Sequence, residues 1–120
     1  MAEASKKALQ LIMDAEGMHY KPEVPGEKSG ITIGIGYDLG YQTVDIFESD
    51  WGNYLTRSQV DRLRLVVGMT GDKARKRVTE LSDIKFRRVD AEEVFNMRAT
   101  RDAVVVGDIQ EIANQLRSMK

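Results

Sequence analysis

Apolar and polar residues along this chain follow two periods. Between residues 31 and 37, Ile31-Thr32-Ile33-Gly34-Ile35-Gly36-Tyr37 alternates at period two. Strand side chains point to opposite faces in turn, so Ile31, Ile33, Ile35 and Tyr37 share one face. Thr32, Gly34, Gly36 and Asp38 share the other. A straight strand and a hairpin bent at a glycine both satisfy this pattern. Upstream, Leu9, Ile12, Met13 and Glu16 recur at helical spacing and predict a helix over about residues 4–15. Glu16 then ends its apolar face, and Gly17 sits where a left-handed helix stop belongs. Pro22, Pro25, Gly26 and Gly30 punctuate a loop between that helix and the strand.

After residue 55 the pattern is helix after helix. Thr56-Arg57-Ser58-Gln59 reads as a capping box opening a helix with Val60, Leu63, Val66 and Val67 inside. Thr70 is placed to cap a second, with Ala74, Val78 and Leu81 inward. Asp90 with Glu93 opens a third, carrying Val94, Phe95 and Val104-Val105-Val106 to a stop at Gly107. Asp108 with Glu111 opens a fourth, its stripe formed by Ile109, Ile112, Leu116 and Met119. The expected fold class is α+β and mostly α-helical, with a small glycine-rich β element after the first helix.

Length and composition narrow the field. At 120 residues, 42% hydrophobic and 31% charged, the chain has the material for one core, so residues 1–120 are expected to form one domain. Charge is uneven: residues 1–52 hold four Lys/Arg against nine Asp/Glu, and residues 53–120 hold fourteen against ten. An acidic, glycine-rich front therefore precedes a basic helical back. With no cysteine, disulfide scaffolds, zinc ribbons and thiol catalysis are excluded. A single histidine, His19, excludes a multi-histidine metal site, and no metal or cofactor is expected. Gln10, Asp14 and Glu16 interrupt the N-terminal apolar stretch before a signal-peptide core forms, and no run reaches the roughly 20 apolar residues of a membrane span. The expectation is a chain made in the cytoplasm.

Glu16 and the period-two segment carry the candidate chemistry. A carboxyl at the end of an apolar helix face is partly desolvated, which favours its neutral form, and the helix C-terminus acts in the same direction. Such a group suits a general acid. Thr32 and Asp38, six residues apart, share a face on which only Gly34 and Gly36 intervene, leaving a bare backbone floor. A hydroxyl and a carboxylate at its ends would hold and activate water. The competing reading is a tight glycine-rich hairpin with Asp38 capping the residues after it. Two carboxyls in opposed environments, one neutral and one ionised, are the minimum machinery for cleaving a glycosidic bond.

Glu16-Gly17 at a helix end, Tyr20 in the loop, and Ser29-Gly30-Ile31-Thr32-Ile33-Gly34-Ile35-Gly36-Tyr37-Asp38-Leu39-Gly40 resemble the active-site half of the phage-type lysozymes. These are muramidases of glycoside hydrolase family 24, and the closer likeness is to their pesticin-like branch. The resemblance implies a lysozyme-like fold and a catalytic set of Glu16, Thr32 and Asp38. Tyr20, Gly34, Gly36 and Tyr37 would lie against substrate, a peptidoglycan glycan strand, and the family leaning is inversion of the anomeric centre. It also implies action on the cell wall after release or delivery.

The likeness is specific over residues 9–40. In the common phage pattern an Asp precedes the Thr by six, and that position here is Gly26. The helical hairpin of the family's second lobe has no counterpart, so part of the cleft wall is expected to be missing. A partner protein or a second copy would then complete the cleft.

Two other readings compete. A shortened lysozyme-like module could bind cell wall or a protein without turnover. Alternatively, helices near 57–67 and 71–81 have helix-turn-helix proportions, with Lys73, Arg75, Lys76 and Arg77 making the second basic and Lys85, Arg87 and Arg88 beside it. No Asn or Gln stands among the early residues of that helix to read bases, so nucleic acid is the less favoured partner.

Overall fold

Glycine bends the period-two segment into a hairpin. Gly34 and Gly36 adopt φ of +55° and +61°, a region that side-chain-bearing residues avoid. Strand β2 (Thr32–Gly34) therefore turns back into β3 (Tyr37–Asp38), pairing Ile33 with Tyr37 and Thr32 with Asp38. The computed structural model describes residues 10, 11, 14, 15 and 17–101. Strand β1 (His19–Glu23) lies antiparallel on the other side of β2, giving the order β1-β2-β3. Its register shifts between His19 and Glu23, and Pro22 sits within that irregular, edge-strand stretch, where no ladder donor is needed. The proline and glycine punctuation that suggests a loop here conceals a strand.

The architecture is α+β and mostly helical, as the pattern predicts. Gln10, Leu11, Asp14 and Ala15 are helical, and Gly17 follows at φ +76° as the expected stop. Leu9, Ile12, Met13 and Glu16 lie outside the described residues. Beyond the sheet, one 3-10 turn (Leu39–Tyr41) leads to α1 (Val44–Trp51). Thr43 caps α1 by accepting from Ile46 N at 3.2 Å. The pattern does not mark this helix, since Val44, Phe47 and Trp51 alone make a short apolar stripe. Helix α2 (Arg57–Arg64) opens with the full reciprocal capping box: Gln59 N donates to Thr56 Oγ1, and Thr56 N to Gln59 Oε1.

Helix α3 (Gly71–Val78) follows, and a second 3-10 turn (Thr79–Leu81) extends it. Thr70 precedes α3, but its hydroxyl makes no capping bond; its backbone bridges to Gly30 instead. Helix α4 occupies residues 88–101. It begins before Asp90, so Asp90 lies inside the first turn and Glu93 in the second, and the pair does not open the helix. The valine run 104–106, Gly107 and the predicted helix from Asp108 lie outside the described residues.

The core gathers Ile31, Ile33 and Leu39 from the β element with Phe47, Trp51, Leu63 and Val94 from the helices and Ile84 from the loop before α4, each 1% exposed or less. Burying a side chain of this size stabilises by about 1.5–3 kcal/mol. Trp51 is central, meeting Tyr37, Tyr54 and Phe86 edge-to-face at ring-centroid distances of 6.0, 6.3 and 5.5 Å. The connection between α2 and α3 is bound to the β element: Gly68 N donates to Leu39 O at 3.0 Å, and Gly71 N to Ser29 O at 2.8 Å.

Candidate functional site

The hairpin brings Thr32 and Asp38 opposite one another. Six residues along a straight strand span about 20 Å; as cross-strand partners their Cβ atoms stand about 5 Å apart. The Asp38 carboxylate is held by backbone donors. Gly40 N donates to Oδ1 at 2.8 Å, and Gly30 N to Oδ1 and Oδ2 at 3.0 and 3.1 Å. Asp38 is thereby the N-cap of the Leu39–Tyr41 turn. Thr32 Oγ1 donates to Gly30 O at 3.3 Å, which leaves its lone pairs as the hydroxyl's remaining capacity. Asp38 is half-buried, whereas Thr32 is only 4% exposed.

Bare backbone makes this arrangement possible. A Cβ on Gly30 would collide with the backbone of Gly40 and with Asp38 Oδ1, and one on Gly40 with Thr70 Cγ2 and Met69 O. The two glycines let the chain fold tightly around one carboxylate. Asp38 therefore does cap the turn after it, and that role coexists with the approach to Thr32. Glu16, the expected acid, lies outside the described residues.

The bare floor expected at Gly34 is occupied by the protein itself. A Cβ there would lie 2.9 Å from Trp51 Cζ2 and 3.1 Å from Ala91 Cβ, so Gly34 admits the core rather than a ligand. Gly36 is half-buried at the hairpin bend. Tyr37, expected against substrate, is 2% exposed, and its hydroxyl donates to Asp50 Oδ2 at 2.8 Å. Burial first, and then Asp50, push its phenol far above the ordinary range. It backs on a recess of about 220 Å³ whose walls include Ile35, Trp51, Val94, Phe95 and Arg98. Tyr20 is the exception on the surface: it is 54% exposed on β1.

The sequence does not mark the charge cluster around buried Asp50, behind the hairpin. Asp50, 1% exposed, accepts from Tyr37 and from Arg101 Nη1 at 3.3 Å, with Arg98 Nε at 3.8 Å. The Arg98 guanidinium stands 4.6 Å from the centroid of the Tyr37 ring. These four residues tie β3, α1 and α4 together. The only sequence signal is a charged residue, Asp50, beside Trp51 on what proves to be the inner face of a helix.

The basic face considered for nucleic acid is interleaved with carboxylates. Arg75 pairs with Asp72 at 2.6 Å, Arg77 with Glu80 at 2.9 Å, and Arg88 with Glu92 at 2.8 Å. Arg62 grips Asp83 with both terminal nitrogens and holds its carboxyl down to about 2. Among the described residues no group of three or more His, Asp or Glu is arranged to hold a metal ion, and no helix is long and apolar enough to cross a membrane.

A family model described as a domain of unknown function, DUF8812, matches residues 10–120. No curated protein matches the chain.

Proposed function

This chain belongs to the DUF8812 family, to which no function is assigned, and we propose that it is a muramidase. It would hydrolyse the β-1,4 bond between N-acetylmuramic acid and N-acetylglucosamine in peptidoglycan, reaching the wall after release or delivery. The observation that carries this reading is the rung of the hairpin on which Thr32 faces Asp38, with the carboxylate locked by the amides of Gly30 and Gly40. A water seated between them would donate one hydrogen to Asp38 and one to Thr32 Oγ1, turning its lone pair toward the anomeric carbon. Glu16 supplies the proton to the leaving oxygen. Asp38 then serves as base, or as the charge that stabilises the oxocarbenium-like transition state.

One observation favours a second reading, a lysozyme-like module that binds cell wall or a partner protein without turnover. Thr32 is 4% exposed, and both Asp38 oxygens already accept amide bonds, as in a purely structural cap. Clearing of a peptidoglycan suspension separates the two. The muramidase clears it, while Glu16→Gln and Asp38→Asn each slow clearing by about 10²–10⁴-fold. A folded wild type that sediments with peptidoglycan but never clears it is the binding module.

A further inference from the structure

We propose that Tyr41 is a pre-positioned stacking platform for a sugar ring of the glycan, beside Asp38; this rests on the muramidase reading for the identity of the ligand. Tyr41 is 67% exposed, the most exposed of the large hydrophobic side chains among the described residues. Isolated exposed apolar residues are ordinary. What sets Tyr41 apart is how firmly it is held. Its hydroxyl donates to Lys28 O at 2.8 Å, so the ring is tethered at its far end while its faces stay open to water.

Both ends of that tether are fixed in turn. Lys28 belongs to the loop before β2, which α3 grips from outside: Arg75 Nη1 donates to Glu27 O at 3.1 Å, and Gly71 N to Ser29 O at 2.8 Å. The backbone of Tyr41 belongs to the 3-10 turn that Asp38 caps and that Gly68 N binds at Leu39 O. A ring ordered before binding loses little conformational entropy when a ligand covers it.

Position supplies the second half of the case. Tyr41 follows Asp38 by three, with buried Leu39 facing the core and Gly40 bare between them. Both side chains reach back to the same stretch of the loop before β2, the Tyr41 hydroxyl to Lys28 O and the Asp38 carboxylate to Gly30 N, so the phenol stands on the side of the turn that presents the carboxylate. The chemistry that fits an open phenol face is the apolar face of a pyranose, whose axial C–H groups pack on aromatic rings. The ligand class is thus a β-linked N-acetylhexosamine chain, one unit lying over Tyr41 while the next bond approaches Asp38.

The test measures binding without turnover. Chitotetraose is titrated calorimetrically into Glu16→Gln protein, alone and combined with Tyr41→Ala, Tyr41→Phe or Tyr41→Trp, with circular dichroism confirming the fold of each. Tyr41→Ala is expected to weaken binding about tenfold. Tyr41→Phe keeps the ring but loses the Lys28 tether, and weakens it two- to threefold. Tyr41→Trp restores wild-type affinity or improves on it. Equal affinity for a folded Tyr41→Ala variant, or no binding of chitotetraose by the Glu16→Gln protein, overturns the platform. If chitotetraose binds through Tyr41 but wild type clears no peptidoglycan, the muramidase reading fails and the platform stands.

Discussion

Asp38 and Asp50 sit on the two sides of one hairpin and are satisfied in opposite ways. Asp38 is ringed by backbone amides and remains a half-buried carboxylate. Asp50 is 1% exposed and is met by side chains: the Tyr37 hydroxyl, Arg101 and Arg98. Amide donors come with the local turn and require only that Gly30 and Gly40 carry no side chain. Side-chain donors come from distant elements and consume the carboxylate entirely. The first arrangement keeps a charge available at a fixed place; the second uses a charge to hold β3, α1 and α4 in register.

The largest way to break this contrast is Asp50→Ala. It leaves the buried Tyr37 hydroxyl and Arg98 Nε without their carboxylate, while Arg101, already exposed, turns to solvent, and a loss of about 3 kcal/mol is expected in chemical unfolding. A loss below about 1 kcal/mol would mean that the cluster is wetter than its burial indicates. Gly30→Ala attacks the other side. The new Cβ meets the Gly40 backbone and Asp38 Oδ1, and overpacking of this kind costs about 1–3 kcal/mol. It should also abolish peptidoglycan clearing, because the carboxylate is displaced; unchanged clearing by a folded Gly30→Ala protein would argue that the Asp38 geometry is irrelevant to turnover.

A control away from both regions sharpens the scale. Thr56→Ala removes one half of the capping box of α2 and should cost about 1 kcal/mol in thermal or chemical unfolding, with clearing unaffected. The smallest effect is expected from Asp83, which is exposed and paired with Arg62. Its carboxyl is held at about 2 in the folded chain against 3.8 ordinarily, so its stabilising contribution is complete above 3.8 and is lost as pH falls toward 2. Solvent screening keeps that contribution small. Comparing acid unfolding of wild type and Arg62→Ala measures it: the variant should lose less stability over that interval. An equal loss would place the acid response elsewhere.

Local chemistry makes much of this legible in the sequence. Thr56 with Gln59 specifies a helix start from four consecutive residues, and Gly17 specifies a stop, because both depend on neighbours in the chain. The α+β class and the inward positions of Val60, Leu63, Ala74 and Val94 follow from periodicity alone. Strand β1 and helix α1 escape notice for the same reason in reverse. Five residues with a proline, and eight residues with a short stripe, carry too little local signal, and pairing with β2 and packing of Trp51 decide them.

The candidate site divides along the same line. Sequence by itself determined that a hydroxyl, a carboxylate and two glycines fall on alternate positions of one segment. It could not decide whether Thr32 and Asp38 stand a strand's length apart or face each other, because a straight strand and a hairpin share the same period. Nor could it tell that Gly34 admits Trp51 and that Tyr37 turns inward to Asp50, since those partners lie 17 and 13 positions away in the chain. Alternation records which residues share a face; only packing decides what covers that face, because burial is a property of elements brought together from distant parts of the chain.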